Sequence, residues 1–286
     1  MVTQPCFGIY EKALPAGLDW PGLLESARKA GYDYVEMSVD ESDERLARLA
    51  WSAGQKTAFR SAVADTGMPV RSLCLSGHRR FPFGSADPAI RERAFSMMRG
   101  AIDLAADTGI KTILLAGYDV FYEPSTPESL ARFEEGLDWA IGLAERAQVM
   151  LAMEIMDTQL MGTITNWRTW AERLPSPWFQ VYPDIGNLSG WTENVPVELA
   201  KGLGRIVAVH VKDTLFPTAS FPGKFREVPF GEGNVDFPAA FRALAALRFR
   251  GCYLVEMWTH SAPDPIAECR RAREWILARM AETGIA

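Results

Sequence analysis

The stretch Val-Ala-Val-His-Val at residues 207–211 places one imidazole inside a run of small and β-branched apolar residues. A run without a polar face is typical of a parallel strand that is covered on both faces. Seven similar runs recur along the chain, and longer amphipathic stretches separate them. The predicted strands are Cys6–Tyr10, Tyr32–Val39, Val70–Ser76, Thr112–Ala116, Met150–Met156, Phe179–Pro183, Ile206–Val211 and Cys252–Trp258.

The stretches between these strands carry helix start and stop signals. Asp87 precedes Pro88 and Thr126 precedes Pro127, so that a capping side chain stands just ahead of a first-turn proline. Gly67 follows the end of another amphipathic stretch, where a helix ends most readily. The predicted helices are Leu18–Ala30, Arg45–Thr66, Pro88–Thr108, Pro127–Ala147, Thr165–Leu174, Val197–Gly202, Phe237–Leu247 and Asp264–Ala281.

Eight strand-helix units over 286 residues correspond to about 36 residues per unit, which is the spacing of an eight-unit barrel. An open doubly wound sheet is the alternative, but Gly8-Ile9-Tyr10 is no glycine-rich phosphate loop. The pattern therefore predicts an α/β protein with a single-domain (β/α)8 TIM barrel over residues 1–286. Long connections at 40–44, 77–87 and 213–235 leave the carboxyl ends of strands, where barrel active sites lie.

Composition narrows the class of partner. Thirty basic and thirty-six acidic residues give a net charge of −6, which argues against a general binder of nucleic acid or of an anionic membrane. No run approaches the roughly 18 apolar residues of a membrane helix, and the first residues do not resemble a secretion signal, so we expect a cytoplasmic protein. The cysteines form no CxxC pair and are predicted to be reduced: Cys6, Cys74, Cys252 and Cys269.

Four ionisable residues occupy equivalent places at or near the carboxyl ends of the last four strands: Glu154, Asp184, His210 and Glu256. A carboxylate in an apolar run costs several kcal/mol unless it is paired, protonated or metal-bound. One shared cation accounts for all four, whereas the alternative requires a separate hydrogen-bonded partner for each. Three carboxylates and one imidazole suit a single divalent ion such as Zn²⁺, Mn²⁺ or Mg²⁺.

The chain resembles the L-xylulose 5-phosphate (L-ribulose 5-phosphate) 3-epimerase family of the xylose isomerase-like TIM barrel superfamily. The widely shared piece is His-Val-Lys-Asp at 210–213, and the more specific pieces are His-Arg-Arg-Phe-Pro at 78–82 and Val-Pro-Phe-Gly-Glu-Gly at 228–233. Further matching stretches lie at residues 34–41, 154–158, 182–188 and 254–258. The resemblance spans nearly the whole chain.

The resemblance implies a metal-dependent sugar-phosphate 3-epimerase, in which Glu154, Asp184, His210 and Glu256 hold the ion. It also implies that Glu154 and Glu256 are catalytic and move the proton at C3 of the substrate. The metal polarises the C2 carbonyl and stabilises a cis-enediolate as charge develops. Inversion at C3 then requires two acid-base groups on opposite faces of that planar intermediate.

Four further residues are predicted to bind the substrate. Asp157 and Asn187 each lie three residues past a metal ligand, where the resemblance implies contacts to sugar hydroxyls, although Asp157 also suits a turn cap. Strand alternation points Lys212 to the same interior face as His210, where it binds an oxygen anion or pairs with a carboxylate. Arg226 lies in the long loop after the seventh strand and is either a substrate clamp or a solvated side chain.

The densest basic cluster at the carboxyl end of a strand is predicted to bind phosphate and comprises His78, Arg79 and Arg80. Lys224 and Arg226 are the second choice, and a solvated charged surface is the alternative to both. Glu36, inside the second strand, is expected to have a partner deep in the barrel rather than a catalytic role.

Three other functions remain to be compared. An aldose-ketose isomerase or an epimerase of a free ketose, of the tagatose or psicose type, would leave the basic cluster without a phosphate. A DNA-repair endonuclease of the same superfamily needs more histidines than the three present. A sugar-binding barrel without catalysis would not need both glutamates. We therefore expect a small-molecule ketose or ketose phosphate as partner, no nucleic acid or membrane, and a homo-oligomer, in particular a dimer.

Overall fold

The computed structural model describes residues 5–283, in which eight parallel strands form one sheet. Each observed strand lies within a predicted one, so the predicted (β/α)8 barrel is confirmed. The strands are β1 Phe7–Tyr10, β2 Tyr34–Ser38, β3 Val70–Leu75, β4 Thr112–Leu115, β5 Met150–Glu154, β6 Phe179–Tyr182, β7 Ala208–Val211 and β8 Cys252–Val255.

The sheet closes on itself in two places that the chain order alone leaves open. β1 pairs with β8 in parallel, which joins the first and last units. β6 and β7 meet through two isolated bridges, Val181 with Ile206 and Asp184 with His210. The second bridge places two of the predicted metal ligands next to each other at the rim of the barrel.

The helices begin and end at the capping residues that the sequence contains. The Asp87 side chain accepts a hydrogen bond from the Ala89 amide at 2.8 Å, and Gly67 ends its helix with a φ of +65°, a conformation that glycine adopts without strain. The helices are α1 Trp20–Lys29, α2 Asp43–Leu46, α3 Ala53–Thr66, α4 Pro88–Thr108, α5 Pro127–Ala147, α6 Ile164–Arg173, α7 Ile185–Trp191, α8 Val195–Lys201, α9 Phe237–Ala246 and α10 Pro265–Ala281.

Two helix predictions were wrong. The single helix predicted over residues 45–66 is divided into α2, a 3₁₀ segment at Ala47–Ala50, and α3. The division follows from a capping box at Ser52 and Gln55, in which each side chain accepts a hydrogen bond from the other residue's amide. The other error is α7, a seven-residue helix after β6 that the sequence analysis did not predict.

The described residues form two main apolar cores and a small third cluster of Ala116, Tyr118 and Met156. The larger one lies between the outward faces of the strands and the helices. The smaller one fills the barrel interior and consists of Tyr10, Tyr34, Cys74, Leu114, Ala152, Tyr182, Ala208 and Leu254. Because this inner core fills the barrel, ionisable groups at the strand ends face the mouth. Over residues 5–283, none of the helices has both the length and the apolar character to cross a membrane.

Candidate metal and substrate site

The four predicted metal ligands come together at the carboxyl ends of β5 to β8. One ligand atom from each of the four lies within 4.8 Å of the others. The Nδ1 atom of His210 lies 3.4 Å from Glu154 Oε1, 3.5 Å from Glu256 Oε2 and 3.7 Å from Asp184 Oδ2. These separations exceed a hydrogen bond and approach the roughly 3 to 3.5 Å between ligands that surround one ion at about 2.1 Å.

The buried atoms of this centre fit a cation. His210 Nδ1 is buried and forms no hydrogen bond with any residue in the range 5–283, and the buried Asp184 Oδ2 and Glu256 Oε2 have only the Lys212 ammonium, 2.9 Å from each, as a partner among those residues. Leaving the His210 nitrogen buried and unpaired costs about 1 to 3 kcal/mol, and one ammonium leaves the three converging carboxylates with an excess of negative charge. A divalent ion satisfies all of them at once, and the oxygen and nitrogen donors suit a hard or borderline metal.

The unpredicted helix α7 positions one ligand. Asp184 is its N-cap, and the Oδ1 atom accepts a hydrogen bond from the Asn187 amide at 2.9 Å. This bond fixes the carboxylate so that Oδ2 faces His210. Asn187 is itself held, because its Nδ2 donates to the Ile155 carbonyl at 3.0 Å. The local helix therefore orders a predicted metal ligand and a predicted substrate-binding residue together.

Glu36 holds the imidazole from the opposite side. Its Oε1 lies 3.1 Å from His210 Nε2, and its Oε2 accepts a hydrogen bond from the Ser72 hydroxyl at 2.6 Å. The expected partners deep in the barrel are thus confirmed. A carboxylate at Nε2 keeps the proton on that nitrogen and leaves Nδ1 available as a ligand, an arrangement typical of metal-binding histidines.

Lys212 supplies a buried positive charge to the same cluster. Its Nζ lies 2.9 Å from Asp184 Oδ2 and 2.9 Å from Glu256 Oε2. Burial by itself would lower the pKa of Lys212, but these carboxylates raise it, so that the ammonium stays charged. Of the two roles open to Lys212 in the sequence, the structure shows the ion pair with neighbouring carboxylates.

The two glutamates differ in their titration. Burial raises the pKa of Glu154 to about 7, while the neighbouring His210 opposes that shift. Burial would also raise the pKa of Glu256, but Lys212 and His210 together lower it well below its usual range. Because both carboxyl groups contact His210, they titrate as one coupled set, in which Lys212 makes Glu256 the more acidic member.

A cavity above this centre contains the predicted substrate residues. Asp157, Asn187, Lys212 and Arg226 all line it, together with both glutamates. The Oδ1 atom of Asn187 is buried and has no hydrogen-bond partner among residues 5–283, so it is free to accept from a ligand. Asp157 and Arg226 are exposed at the cavity rim. Aromatic and apolar walls are provided by Tyr10, Tyr118, Met156, Phe225 and Trp258.

The predicted phosphate cluster does not stay together. Of its three members only Arg79 lines the cavity, where its Nη2 donates to the Tyr118 hydroxyl at 3.0 Å and its Nη1 lies 3.2 Å from Glu41 Oε2. The Nε atom of Arg79 is buried and makes no hydrogen bond within the described residues. One donor of this guanidinium is therefore without a partner among the described residues.

The other two members face elsewhere. Arg80 pairs with Asp43 at 2.7 Å on the surface, and its side chain is 44% exposed. His78 is buried, with its ring centroid 4.8 Å from that of Phe83. Burial lowers the pKa of His78 to about 4, so the imidazole is uncharged at neutral pH.

Lys12 also lines the cavity, although the sequence did not predict it as a site residue. It lies two residues past β1, lines the cavity and has its Nζ 2.5 Å from Asp40 Oδ2. Its place at the carboxyl end of a barrel strand is the signal that would have found it. Lys12 and Arg79 together give the cavity two cationic groups, each already paired with a carboxylate.

A family model described as xylose isomerase-like TIM barrel matches residues 24–279. The chain thus belongs to the xylose isomerase-like TIM barrel family, in agreement with its eight-stranded barrel and with the four side chains at its rim that could hold a metal ion. The solved structure of a D-psicose 3-epimerase from Clostridium cellulolyticum H10 with D-tagatose has the same fold. Its TM-score is 0.78 at 15% identity, and the match covers 96% of this chain and 99% of that chain.

Relatives of higher identity narrow the assignment within this family. The L-ribulose-5-phosphate 3-epimerase UlaE of Salmonella heidelberg (strain SL476) is 54% identical over 278 residues, covering 97% of this chain and 96% of the relative. UlaE of Escherichia coli (strain SMS-3-5 / SECEC) is 53% identical with the same coverage. The resemblance stated from the sequence is thereby confirmed over almost the full length.

Proposed function

We propose that this protein is a metal-dependent epimerase that interconverts L-xylulose 5-phosphate and L-ribulose 5-phosphate by inverting C3. The observation that carries the proposal is the convergence of Glu154 and Glu256, from β5 and β8, on one four-ligand centre beneath a cavity. The relatives that share more than half of the sequence are named L-ribulose-5-phosphate 3-epimerases. An isomerase-class enzyme acting on sugars accounts for both.

The reaction requires removal of a weakly acidic proton next to a ketone. A divalent ion bound by Glu154, Asp184, His210 and Glu256 would supply the positive charge that polarises the C2 carbonyl. One glutamate takes the C3 proton, and the other delivers a proton to the opposite face of the planar enediolate. Both glutamates line the cavity, so both carboxylates can contact a sugar bound there.

Other side chains of the cavity orient the sugar. The unpaired Oδ1 atom of Asn187 accepts a hydrogen bond from a sugar hydroxyl, and the exposed carboxylate of Asp157 accepts another at the rim. The ammonium of Lys212 fixes the Glu256 carboxylate through its 2.9 Å contact. Trp258 and Tyr10 form an edge-to-face pair with centroids 6.3 Å apart, which excludes water on one side.

For the phosphate we propose Arg79 as the principal residue, with Arg226 and Lys12 facing the same cavity. The buried Nε of Arg79 supports this, because it is a donor still without a partner among the described residues. His78 and Arg80 support the turn that presents Arg79, the first by packing on Phe83 and the second by pairing with Asp43.

A second candidate is the epimerisation of a free ketose. It is favoured by ion pairs at three of the four cations that line the cavity, Arg79 with Glu41, Lys12 with Asp40 and Lys212 with Glu256, which leave less net positive charge for a phosphate. Epimerisation of a free ketose and of a ketose phosphate would use the same four-residue centre. They would differ only in whether the cations at the cavity rim bind a phosphate. Measuring kcat/KM for L-ribulose and for L-ribulose 5-phosphate on the same preparation distinguishes them.

The test of the reaction is isotope exchange at C3. The metal-loaded enzyme is incubated with L-ribulose 5-phosphate in D₂O, and the deuterium position is determined by NMR. Deuterium at C3 of the L-xylulose 5-phosphate product supports the proposal, whereas deuterium at C2 of an aldose 5-phosphate, or only at C1 of the recovered ketose phosphate, would instead indicate aldose-ketose isomerisation. The choice among Zn²⁺, Mn²⁺ and Mg²⁺, the homodimer and the cytoplasmic location stay predictions.

A further inference from the structure

Two of the four cysteines lie side by side at the amino-terminal end of the barrel, away from the cavity. Cys252 begins β8, and Cys6 directly precedes β1, which pairs with β8. The Tyr253 amide donates to the Cys6 carbonyl at 2.9 Å, which fixes the two residues as neighbours. Both side chains are partly buried against the inner core of the barrel, and both thiols are free.

Arg71, on β3, joins the two thiols. Its Nη1 lies 3.2 Å from Cys6 Sγ and 3.4 Å from Cys252 Sγ. The guanidinium also lies over the Tyr34 ring, 5.4 Å from its centroid, which holds it in place beneath the barrel. A cation beside a thiol favours the reactive thiolate, and the carboxylate of Asp33 partly opposes this effect.

The backbone geometry suits a covalent bond between these cysteines. Neighbouring strands of a sheet lie about 4.8 Å apart, which falls within the roughly 4.4 to 6.8 Å Cα separation that a disulfide requires. Both sulfur atoms approach the same guanidinium nitrogen, so the side chains already face each other. Closing the bond needs the sulfurs to move together but no change of strand register.

We propose that Cys6, Cys252 and Arg71 form a modification site that reacts with a peroxide and closes to an intramolecular disulfide. The Cys252 thiolate attacks hydrogen peroxide, the O–O bond breaks, and a sulfenic acid and hydroxide form. The Cys6 thiol then displaces water from that sulfenic acid, which forms the S–S bond. In total, two thiols lose two electrons and two protons, and one peroxide becomes two waters.

The roles of the two cysteines follow from their surroundings. The neighbouring Cys6 thiol lowers the pKa of Cys252 to about 6, burial opposes this shift, and Arg71 adds to it. The neighbouring Cys252 sulfur and burial raise the pKa of Cys6, so that it keeps its proton and acts as the resolving thiol. Burial raises the pKa of Cys74 and raises that of Cys269 to about 12, so these two are internal controls.

The experiment uses the reduced full-length protein, a stoichiometric amount of hydrogen peroxide, N-ethylmaleimide quenching and peptide mass mapping. We expect a mass loss of two hydrogen atoms, a cross-linked peptide pair containing Cys6 and Cys252, and reversal by dithiothreitol. The Cys74→Ser variant keeps the reaction. The Cys6→Ser variant stops at a sulfenic acid on Cys252, which dimedone traps.

Three results would overturn the proposal: no cross-link between these residues, a cross-link between two chains, or equal or faster oxidation of Cys74 or Cys269. The effect of Arg71 on Cys252 is tested by measuring the rate of iodoacetamide labelling at Cys252 as a function of pH. In Arg71→Leu, the pH at which this rate is half-maximal should rise by about one unit or more. An unchanged midpoint contradicts the assignment of Arg71. None of these readouts depends on epimerase activity.

Discussion

Replacing Glu36 with glutamine tests whether the carboxylate behind His210 tunes the metal centre. The variant keeps the length of the side chain and an oxygen acceptor for the 3.1 Å contact with His210 Nε2, but it removes the negative charge. The Ser72 hydroxyl, which donates to Oε2 at 2.6 Å, then faces an amide nitrogen unless the glutamine turns over. The imidazole is therefore less basic and less firmly oriented.

The expected size of the effect follows from this geometry. Loss of a partner in direct contact with a metal-ligating histidine costs about 10- to 100-fold in metal affinity, or about 1.4 to 2.7 kcal/mol. Because Glu36 is fully buried, water cannot take over its interaction with His210. We therefore expect a loss of metal affinity in the upper half of the roughly 10- to 100-fold range. The Kd for Mn²⁺ and Zn²⁺ is measured by competition with a chromophoric chelator, with the melting temperature of the metal-free protein as a fold check.

The matched control is Glu198→Gln. Glu198 is also a buried carboxylate with a hydroxyl donor, Thr165 at 2.7 Å, and it pairs with Lys201 away from the centre. Its substitution should leave metal affinity unchanged. A wild-type Kd in Glu36→Gln, or an equal loss in both variants, would refute the proposed positioning of His210.

The remaining predictions concern the glutamates, Arg79 and His78. Glu154→Gln and Glu256→Gln should each lower kcat by about 10²-fold or more while circular dichroism stays native, and a wild-type rate in either removes the two-base mechanism. Arg79→Ala should raise KM for L-ribulose 5-phosphate much more than for L-ribulose, and equal changes would place the phosphate elsewhere. Burial lowers the pKa of His78 to about 4, so between pH 6.5 and 4 the unfolded state binds a proton that the folded state does not. The free energy of unfolding should therefore fall by about 3 kcal/mol as the pH is lowered from 6.5 to 4. Urea titrations at these two pH values should show a smaller decrease for His78→Gln than for the wild type. An identical decrease in both proteins would contradict the lowered pKa of His78.

The sequence predicted the barrel because the period of its apolar runs reflects local rules. Each parallel strand is recognisable by itself as a short run without a polar face. Since all eight carboxyl ends meet at one rim, a chemical group near the end of a strand is assigned to that rim without knowledge of the packing. For this reason Glu154, Asp184, His210 and Glu256 were correctly predicted to converge.

The tertiary structure alone decided which way neighbouring side chains point. His78, Arg79 and Arg80 are consecutive, but the 3₁₀ segment at Ser76–Arg79 turns successive side chains by about 120°, so only Arg79 enters the cavity. The sequence shows that three basic residues are adjacent, but it does not show that their side chains point in different directions.

The same holds for contacts between distant units. Glu36 and His210 meet only because the barrel closes and brings β2 and β7 around one interior. Likewise, Cys6 and Cys252 look unrelated in the chain and become neighbours through the pairing of β1 with β8. Periodicity determined what each strand is, whereas closure of the barrel determined which side chains touch, because contact across the interior depends on all eight strands at once.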